Sequence, residues 1–518
     1  MDVIPAANGL LRSIEERRRA ISAELDAKVR GRLGQFFTPT SVAQMIASLP
    51  ILPKSGRVRI LDPGAGIGSL TAALVARIVT ERPDLDLTIT AFEIDETLRP
   101  ELERTVEECQ QLADAFGCPM TSRIVGEDFL EWAATATTGA PSSDSQERFD
   151  IVILNPPYRK VNVKSDARLT LQRINVEITN LYVAFLAMSV ALLDEDGQLA
   201  AITPRSFTNG PYFRSFRRYF FDRMLFDRIH IYESRSKAFA EDGVLQENLI
   251  FGAHRSRHGE VDPTVTISTS LGPNDAPKLR QVLHSEIVGR DDLERFVHIA
   301  TDEADAALGR LLETMPTRIA GLGVEVSTGR VVDFRASEYL RFEPQGGAVP
   351  LIYPGHLREG KIDWPGRLRK KPSWIVACDA TASLLLPTET YVVVKRFSAK
   401  EERRRVTASV FDPADVPSRV VAFENHLNVF HVKGHGLPPD IARGLATWLN
   451  STVIDRFVRC FNGHTQINAT DLRRLPFPST EELRRLGSAI GPLVGVDQHK
   501  IDALVTEHVT ELRSLVAA

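Results

Sequence analysis

Apolar segments that alternate with helix-forming segments constrain the fold of this chain more than any other feature of its sequence. The strand-like runs and the helical segments between them lie at residues 58–61, 69–79, 87–92, 100–116, 122–125 and 149–154. A helical segment and a further strand continue the pattern to about residue 203. The alternation predicts an α/β domain in which helices cover both faces of a mostly parallel sheet.

The same patterns divide the chain into successive regions. We expect an N-terminal helix in 1–33, the α/β domain in 34–255, a connector in 256–300, a domain of mixed α and β structure in 301–480, and a helical segment in 481–518. A chain of 518 residues is too long for one ordinary core, which agrees with this division.

Composition excludes several classes of protein. Hydrophobic residues make up 43% of the chain and charged residues 25%, as is typical of globular proteins. No apolar run approaches the ~20 residues needed to span a bilayer, and the charged N-terminus is unlike a secretory signal. The four cysteines show neither disulfide nor metal-ligand spacing. We therefore expect a cytoplasmic protein without a metal centre and without membrane contact.

Charge alone does not identify a partner. The net charge is −4, yet arginines and lysines cluster in 205–228, 367–371 and 403–405. Such clusters bind phosphates when they lie on one face, and otherwise they belong to an ordinary solvated surface. The sequence leaves both interpretations open.

A glycine-rich turn, 62–68, directly follows the first predicted strand and precedes a helix. Glycines at such a turn let the backbone bend sharply and approach a ligand closely. The turn lacks the dinucleotide spacing Gly-x-Gly-x-x-Gly and the Lys-Ser/Thr pair of a phosphate-binding loop. It therefore favours a neutral or cationic nucleoside such as S-adenosylmethionine, and Asp62 is placed to face the ammonium group of that cofactor.

Carboxylates follow the next two predicted strands. Glu93 ends the second strand, where it is placed to accept both hydroxyl groups of a ribose. Asp128 follows the third strand and is placed to accept from the adenine amino group of the cofactor, with Phe129 against the ring. Each feature alone is usually structural, but together they mark the ligand-binding edge of a doubly wound sheet.

The fourth strand runs directly into Asn155-Pro156-Pro157-Tyr158. The prolines end the strand and fix the backbone, so a rigid turn is the structural alternative. The chemistry that suits this order is methylation of an aromatic amine, which is a poor nucleophile. The side-chain oxygen of Asn155 and the carbonyl of Pro156 can accept its two N–H groups and localise the lone pair. Tyr158 is placed to stack on an extruded base.

Together these residues resemble the gamma class of adenine amino-group DNA methyltransferases, the TaqI type common in restriction-modification systems. The resemblance implies that segment 34–39 closes over the methionine end of the cofactor. It assigns residues to cofactor binding and to catalysis as follows: Thr38, Asp62, Gly64, Gly66, Glu93, Asp128 and Phe129 bind S-adenosylmethionine, and Asn155, Pro156, Pro157 and Tyr158 act on the target base.

The resemblance further implies a Rossmann-like S-adenosylmethionine-dependent domain followed by a mixed α+β target recognition domain. The segment 239–244 is similar to the one whose aromatic residue contacts the target base, so Phe239 is the candidate. Arg396, Asn462 and Gln466 are candidates for DNA contact. Double-stranded DNA would be the substrate. A restriction endonuclease would be encoded separately, because no nuclease motif is visible in the chain.

Two other functions remain open at this level. A protein-glutamine or RNA methyltransferase can use the same Asn-Pro-Pro-Tyr motif, because a glutamine amide also presents an NH₂ group. A DNA-binding module with an inactive cofactor fold is the other alternative, although the intact motif argues against it.

Overall fold

A computed structural model of the chain describes residues 2–24, 37–138, 147–159, 171, 176–177, 180–233, 247–257, 260–273, 275–358, 360–366, 368 and 370–516. The chain forms two compact units, Met1–Thr301 and Asp302–Ala518. Each unit has its own buried hydrophobic clusters. None of the helices in the described ranges combines the length and apolar character that a bilayer crossing requires.

The first unit is organised around one large sheet. Its strands are β1 (Arg57–Pro63), β2 (Asp86–Phe92), β3 (Met120–Val125), β4 (Phe149–Leu154), β5 (Leu193–Pro204), β6 (Met224–Tyr232), β7 (Asn248–Arg255), β8 (Thr264–Ser270) and β9 (Lys278–Leu283). Their order across the sheet is β3-β2-β1-β4-β5-β7-β6-β8-β9. Strands β1 to β5 are parallel, and β7 runs antiparallel between β5 and β6.

Helices cover both faces of this sheet. They are α1 (Val3–Glu24), α2 (Thr40–Ala47), α3 (Ser69–Glu81), α4 (Arg99–Ala115), α5 (Phe129–Thr138), α6 (Leu181–Leu192), α7 (Arg214–Phe221) and α8 (His284–Ile287). Helices α1 to α4 share one hydrophobic cluster with Ile60 and Ile151. Helices α5 to α7 share the other with Leu61 and Val152. Successive strand residues thus face opposite sides, as the pleat of a strand requires, and the predicted α/β fold is confirmed.

The segment 256–300, predicted to be a connector, contributes two strands and a helix to the first unit. Strand β8 pairs with β6 in parallel, and β9 pairs with β8 in antiparallel orientation. Val265 and Ile267 alternate with threonines and are buried. Their burial explains why this short segment between turns forms a strand of the sheet. The segment therefore belongs to the first unit, which ends at Thr301.

The second unit is built from short strands. They are β10 (Thr317–Arg318), β11 (Glu325–Thr328), β12 (Leu340–Arg341), β13 (Ala348–Ile352), β14 (Leu357–Arg358), β15 (Lys361–Ile362), β16 (Trp374–Val376), β17 (Leu385–Pro387), β18 (Tyr391–Lys395), β19 (Ala408–Phe411), β20 (Val420–Phe423), β21 (Leu427–His431) and β22 (Pro476–Phe477). The larger sheets have the orders β11-β21-β18-β19 and β12-β16-β13-β20-β17. This mixture of short strands and helices agrees with the predicted α+β character.

Helices complete the second unit. They are α9 (Glu303–Glu313), α10 (Pro439–Leu449), α11 (Thr452–Phe461), α12 (Ala469–Arg474), α13 (Thr480–Ile490), α14 (Gln498–His508) and α15 (Thr510–Val516). Helices α10 and α13 pack backbone against backbone. A Cβ atom at Gly444 would overlap the carbonyl oxygen of Leu483, and one at Gly487 would overlap that of Asp440. Only glycine permits so close an approach.

Candidate functional site

The turns that follow β1 and β4 lie side by side at the carboxyl edge of the parallel sheet. Ile60 pairs with Ile151 and Leu61 with Val152, so both strands end at the same level. Ligands of doubly wound sheets bind at this edge. The sheet topology therefore brings the glycine-rich turn beside the Asn-Pro-Pro-Tyr turn, as the sequence predicts.

The glycine-rich turn is lined by aromatic rings. Gly64 and Gly66 have φ angles of +77° and +59°, which glycine adopts without strain. A Cβ atom at Gly66 would lie 3.7 Å from the ring of Phe37, and one at Gly64 would lie 3.4 Å from Cε1 of Phe185. Side chains at either position would fill the space between the turn and these rings. The turn is thus an open cradle with apolar walls.

Asp62 is completely buried at the end of β1. The Thr71 hydroxyl donates to its Oδ2 at 2.7 Å, whereas its buried Oδ1 has no hydrogen-bonding partner among the residues that the structure describes. Burial raises the pKa of this carboxyl group to about 7, and the nearby Glu93 contributes to the increase. An unpaired buried carboxylate oxygen is costly unless a donor reaches it, so this position suits a cationic ligand group.

Glu93 connects the glycine-rich turn to the end of β2. Its carboxylate accepts from the backbone N–H of Gly66 at 2.8 Å and from that of Asp95 at 2.8 Å. Burial raises the pKa of Glu93. The carboxylate predicted to bind a ribose therefore also fixes the turn that would hold the same nucleoside.

Asp128 and Phe129 lie at the start of α5. The Oδ1 atom of Asp128 accepts from the backbone N–H of Leu130 at 2.7 Å, which caps the helix. The Phe129 ring is only 3% exposed and packs between Phe92 and Phe185. Phe129 therefore contributes to the aromatic core behind the edge, and the assignment of both residues to the cofactor's adenine stays a prediction.

Asn155 lies between the predicted cofactor segment and Tyr158. Its Nδ2 donates to the Thr38 hydroxyl at 3.0 Å, and its Oδ1 accepts from the Tyr158 hydroxyl at 2.7 Å. The Tyr158 hydroxyl also lies 3.2 Å from the carbonyl oxygen of Ile202 in β5. Pro156 between them is buried. The structure thus brings Thr38 to Asn155, 117 positions away in the sequence. It also joins Asn155 to Tyr158 across the two prolines that separate them.

A second aromatic residue supports Tyr158. The Tyr182 ring on α6 contacts the Tyr158 ring edge to face, with centroids 6.4 Å apart. Its hydroxyl is hydrogen-bonded to that of Ser206 at 2.8 Å. Tyr182 was not predicted, because α6 is apolar throughout and every aromatic residue in it suggests ordinary core. Burial raises the pKa of both tyrosines, so both hydroxyls stay protonated.

The candidates for DNA contact in the second unit have different surroundings. The Arg396 guanidinium reaches Oε1 of Gln466 at 3.4 Å and Oδ1 of Asn468 at 3.3 Å. Asn462 is 4% exposed, accepts from Arg405 and donates to the Gln466 carbonyl. Its amide therefore holds the local fold together. Phe239 lies outside the described residues.

Several basic side chains from the predicted clusters serve the fold. Arg217 is fully buried and donates to carbonyl oxygens of Phe207, Asn209 and Gly210. Arg405 is 3% exposed. These arginines are thus unavailable to a phosphate, which sequence proximity alone could not reveal.

Comparison with known proteins identifies the family. The family model described as "Eco57I restriction-modification methylase" matches residues 85–239. "Type II methyltransferase M.BsuBI" from Bacillus subtilis is 40% identical over 508 residues, which cover 96% of this chain and 98% of that protein. "Type II methyltransferase M.PstI" from Providencia stuartii is 37% identical and covers 95% and 96% of the two chains. The chain belongs to the Type II methyltransferases of restriction-modification systems.

Other proteins resemble this Type II methyltransferase over part of its chain or in their fold. A tRNA1(Val) (adenine(37)-N6)-methyltransferase from Citrobacter koseri is 26% identical, but over only 30% of this chain. The structure of the Type IIL restriction-modification enzyme MmeI in complex with DNA matches with a TM-score of 0.53 and 12% identity. That match covers 92% of this chain and 70% of MmeI, and it supports the fold.

Proposed function

We propose that this Type II methyltransferase transfers a methyl group from S-adenosylmethionine to the exocyclic amino group of an adenine extruded from duplex DNA. The observation that carries the proposal is the amide of Asn155, which lies beside the glycine-rich turn and is oriented by Thr38 on one side and Tyr158 on the other. An oriented acceptor at this place is what activation of an aromatic amine requires.

The residues at the strand ends fit S-adenosylmethionine. The unpaired Oδ1 of Asp62 suits a ligand ammonium group, and the aromatic-walled cradle at Gly64 and Gly66 has room for a nucleoside. Glu93, at the end of β2, is the candidate acceptor for ribose hydroxyls. When bound, the cofactor supplies an electrophilic methyl group on a sulfonium.

The chain's own residues would prepare the nucleophile. The adenine amine donates one N–H to Oδ1 of Asn155 and the other to the carbonyl of Pro156, which draws its nitrogen toward tetrahedral geometry and localises the lone pair. Because Thr38 binds Nδ2 of Asn155, the amide cannot rotate and present a donor to the amine. Electrostatic groups fixed in advance lower the barrier without reorganising during the reaction.

Tyr158 would stack on the extruded base. Its hydroxyl is bound to Asn155 and to the Ile202 carbonyl, and its ring is supported by Tyr182. A ring fixed at both ends loses little conformational entropy when a base packs on it. The second unit would read the flanking duplex. The cognate restriction endonuclease would be a separate protein.

Replacement of Asn155 tests the mechanism. We expect Asn155→Ala to reduce methyl transfer to duplex DNA by about a hundred- to a thousandfold, since it removes a transition-state acceptor. Asn155→Asp keeps the acceptor and should retain part of the activity. Transfer of labelled methyl groups from S-adenosylmethionine measures both, and calorimetry should show that both variants still bind the cofactor.

The same assay distinguishes the substrate classes. Duplex DNA, bulk tRNA and protein extract are offered separately to the wild-type enzyme, and single-molecule sequencing of the DNA product identifies the base and its context. Labelling of tRNA or protein with unlabelled DNA would contradict the proposal. So would full activity of Asn155→Ala.

A further inference from the structure

A group of polar and aromatic side chains meets at one end of the four-stranded sheet of the second unit. We call it the reading cluster, and its members are Arg396, Phe397, His426, Gln466 and Asn468. Arg396 and Phe397 follow β18, and the backbone N–H of Arg396 donates to the carbonyl of His426 between β20 and β21. An isolated bridge joins Phe397 to Gln466. Residues distant in sequence therefore form one surface.

The reading cluster borders a cleft of about 290 Å³. Phe397, His426, Tyr353 and Lys371 are among the residues that line it. The Phe397 ring is 45% exposed. It contacts the His426 ring edge to face, with centroids 4.9 Å apart. An apolar wall beside a polar ring suits a planar heterocycle.

His426 is held from behind by a buried carboxylate. The Glu424 side chain is 1% exposed, and its Oε1 lies 2.7 Å from Nδ1 of His426. The other oxygen of Glu424 accepts from the backbone N–H of His426 at 3.0 Å. The first contact places the carboxylate at Nδ1, and the second ties the backbone of His426 to the same side chain. Nε2 is therefore the ring nitrogen left for a ligand.

The neighbours of His426 favour a base over a phosphate. Arginine, glutamine and asparagine carry planar groups that pair with purine edges in the major groove. Here the Arg396 guanidinium donates to Oε1 of Gln466 at 3.4 Å and to Oδ1 of Asn468 at 3.3 Å. Hydrogen bonds of that length are weak, so the guanidinium can exchange partners. Phosphate binding needs no aromatic side chain beside it.

We propose that His426, oriented by Glu424 and Phe397, is a specificity-determining residue that donates from Nε2 to an acceptor on the Hoogsteen edge of one purine in the recognition site. The acceptor is N7, or O6 when the purine is guanine. Glu424 is a positioning residue in this arrangement. The inference rests on the proposed function, because it requires that the protein modify a defined DNA site.

Substitution of single purines in the DNA tests the inference. The recognition site is first identified from DNA modified by the wild-type enzyme, and each purine in it is then replaced by its 7-deaza analogue, which lacks N7. We expect one replacement to lower kcat/KM of the wild-type enzyme by about tenfold, the effect of one lost hydrogen bond. His426→Ala and His426→Gln should lower kcat/KM on unmodified DNA and be insensitive to that replacement.

Two further variants sharpen the result. Glu424→Gln should weaken the response at the same purine, because Nδ1 of His426 loses its carboxylate partner. His435→Ala is the matched control, since His435 is 69% exposed in the same unit with a carboxylate of Glu389 3.5 Å away. It should respond to every analogue as the wild-type enzyme does. Thermal unfolding followed by calorimetry checks that each variant is folded.

Each outcome separates the two proposals. A wild-type protein that modifies no DNA contradicts the proposed function. A wild-type protein that modifies DNA, with His426 variants that keep the full response at every purine, contradicts only the inference. A uniform loss of affinity on all sequences, with a shallower salt dependence, would identify a phosphate contact and also overturn it.

Discussion

Both polar atoms of the Asn155 side chain are engaged before any substrate is present. Thr38 accepts from its Nδ2, and Tyr158 donates to its Oδ1. A substrate amine that reaches Oδ1 shares it with the Tyr158 hydroxyl or displaces that hydroxyl toward the Ile202 carbonyl, 3.2 Å away. The alternative acceptor keeps the buried hydroxyl satisfied during this exchange, which avoids the cost of an unpaired polar group.

Thr38 provides a direct test of this arrangement. Thr38→Val keeps the size of the side chain but removes the acceptor for Asn155, so the amide can rotate. We expect kcat to fall by roughly 10- to 100-fold, whereas Thr38→Ser, which keeps the hydroxyl, should stay within a few-fold of wild type. Single-turnover methylation measures both variants. Equal rates for the valine and serine variants would contradict a positioning role.

Asp62 predicts a pH dependence of stability. Its pKa is raised to about 7 in the folded protein from an ordinary value of 3.8. Between these values the folded state holds a proton that the unfolded state has released, so stability decreases as pH rises through this window and is constant above it. The change is at most about 4 kcal/mol. Calorimetric unfolding without cofactor should show a steeper decrease for wild type than for Asp62→Asn.

At the scale of elements, the entry into α3 depends on a glycine. Gly68 has a φ of +85°, and a Cβ atom there would lie 2.9 Å from Leu102 and from Thr105 on α4. Helix α4 therefore packs directly over the backbone of the turn. Their contact fixes the position of the glycine-rich cradle relative to the sheet.

Gly68→Ala should destabilise the first unit by about 2–4 kcal/mol, since backbone strain adds to steric overlap. Gly117→Ala is the matched control. Gly117 has a φ of +70° but open space around a Cβ atom, so only about 1 kcal/mol is expected from strain. Thermal unfolding followed by calorimetry measures the difference. Similar losses in the two variants would show that packing over the turn contributes little.

The sequence predicted β1 to β4 and their turns because strong turn residues bound each strand, and because β1, β2 and β4 are mostly buried runs. It did not predict β8 and β9, which are short strands flanked by turns. It also did not predict contacts between side chains that are far apart in the sequence. Asn462 stays a candidate for DNA contact, and the sequence does not show that Arg405, 57 positions away, donates to it. Local pattern thus determines elements, whereas side-chain partners depend on the tertiary fold.

At the scale of the whole molecule, each of the two units has hydrophobic clusters of its own. The proposed cofactor site lies in the first unit, and the reading cluster lies in the second. A substitution deep in the second unit should therefore affect DNA recognition without affecting cofactor binding.

Trp448→Ala tests this separation. Trp448 is fully buried on α10, and its Nε1 donates to the Pro476 carbonyl at 2.9 Å. Its removal should destabilise the second unit by about 3–5 kcal/mol. Calorimetric titration at low temperature should give an unchanged affinity for S-adenosylmethionine, while methylation of DNA decreases. A parallel loss of cofactor affinity would contradict the separation.

The contact between α10 and α13 has a consequence for how such a protein can diversify. Because Gly444 and Gly487 each abut a carbonyl group of the opposite helix, neither can mutate alone without forcing the pair apart. We expect both glycines to be retained during evolution while surface loops of the same unit change. New preferences for DNA sequences would then arise in the loops, while the packing of the two helices stays the same. A mutational library that leaves these two glycines unchanged should yield more folded variants than one that does not.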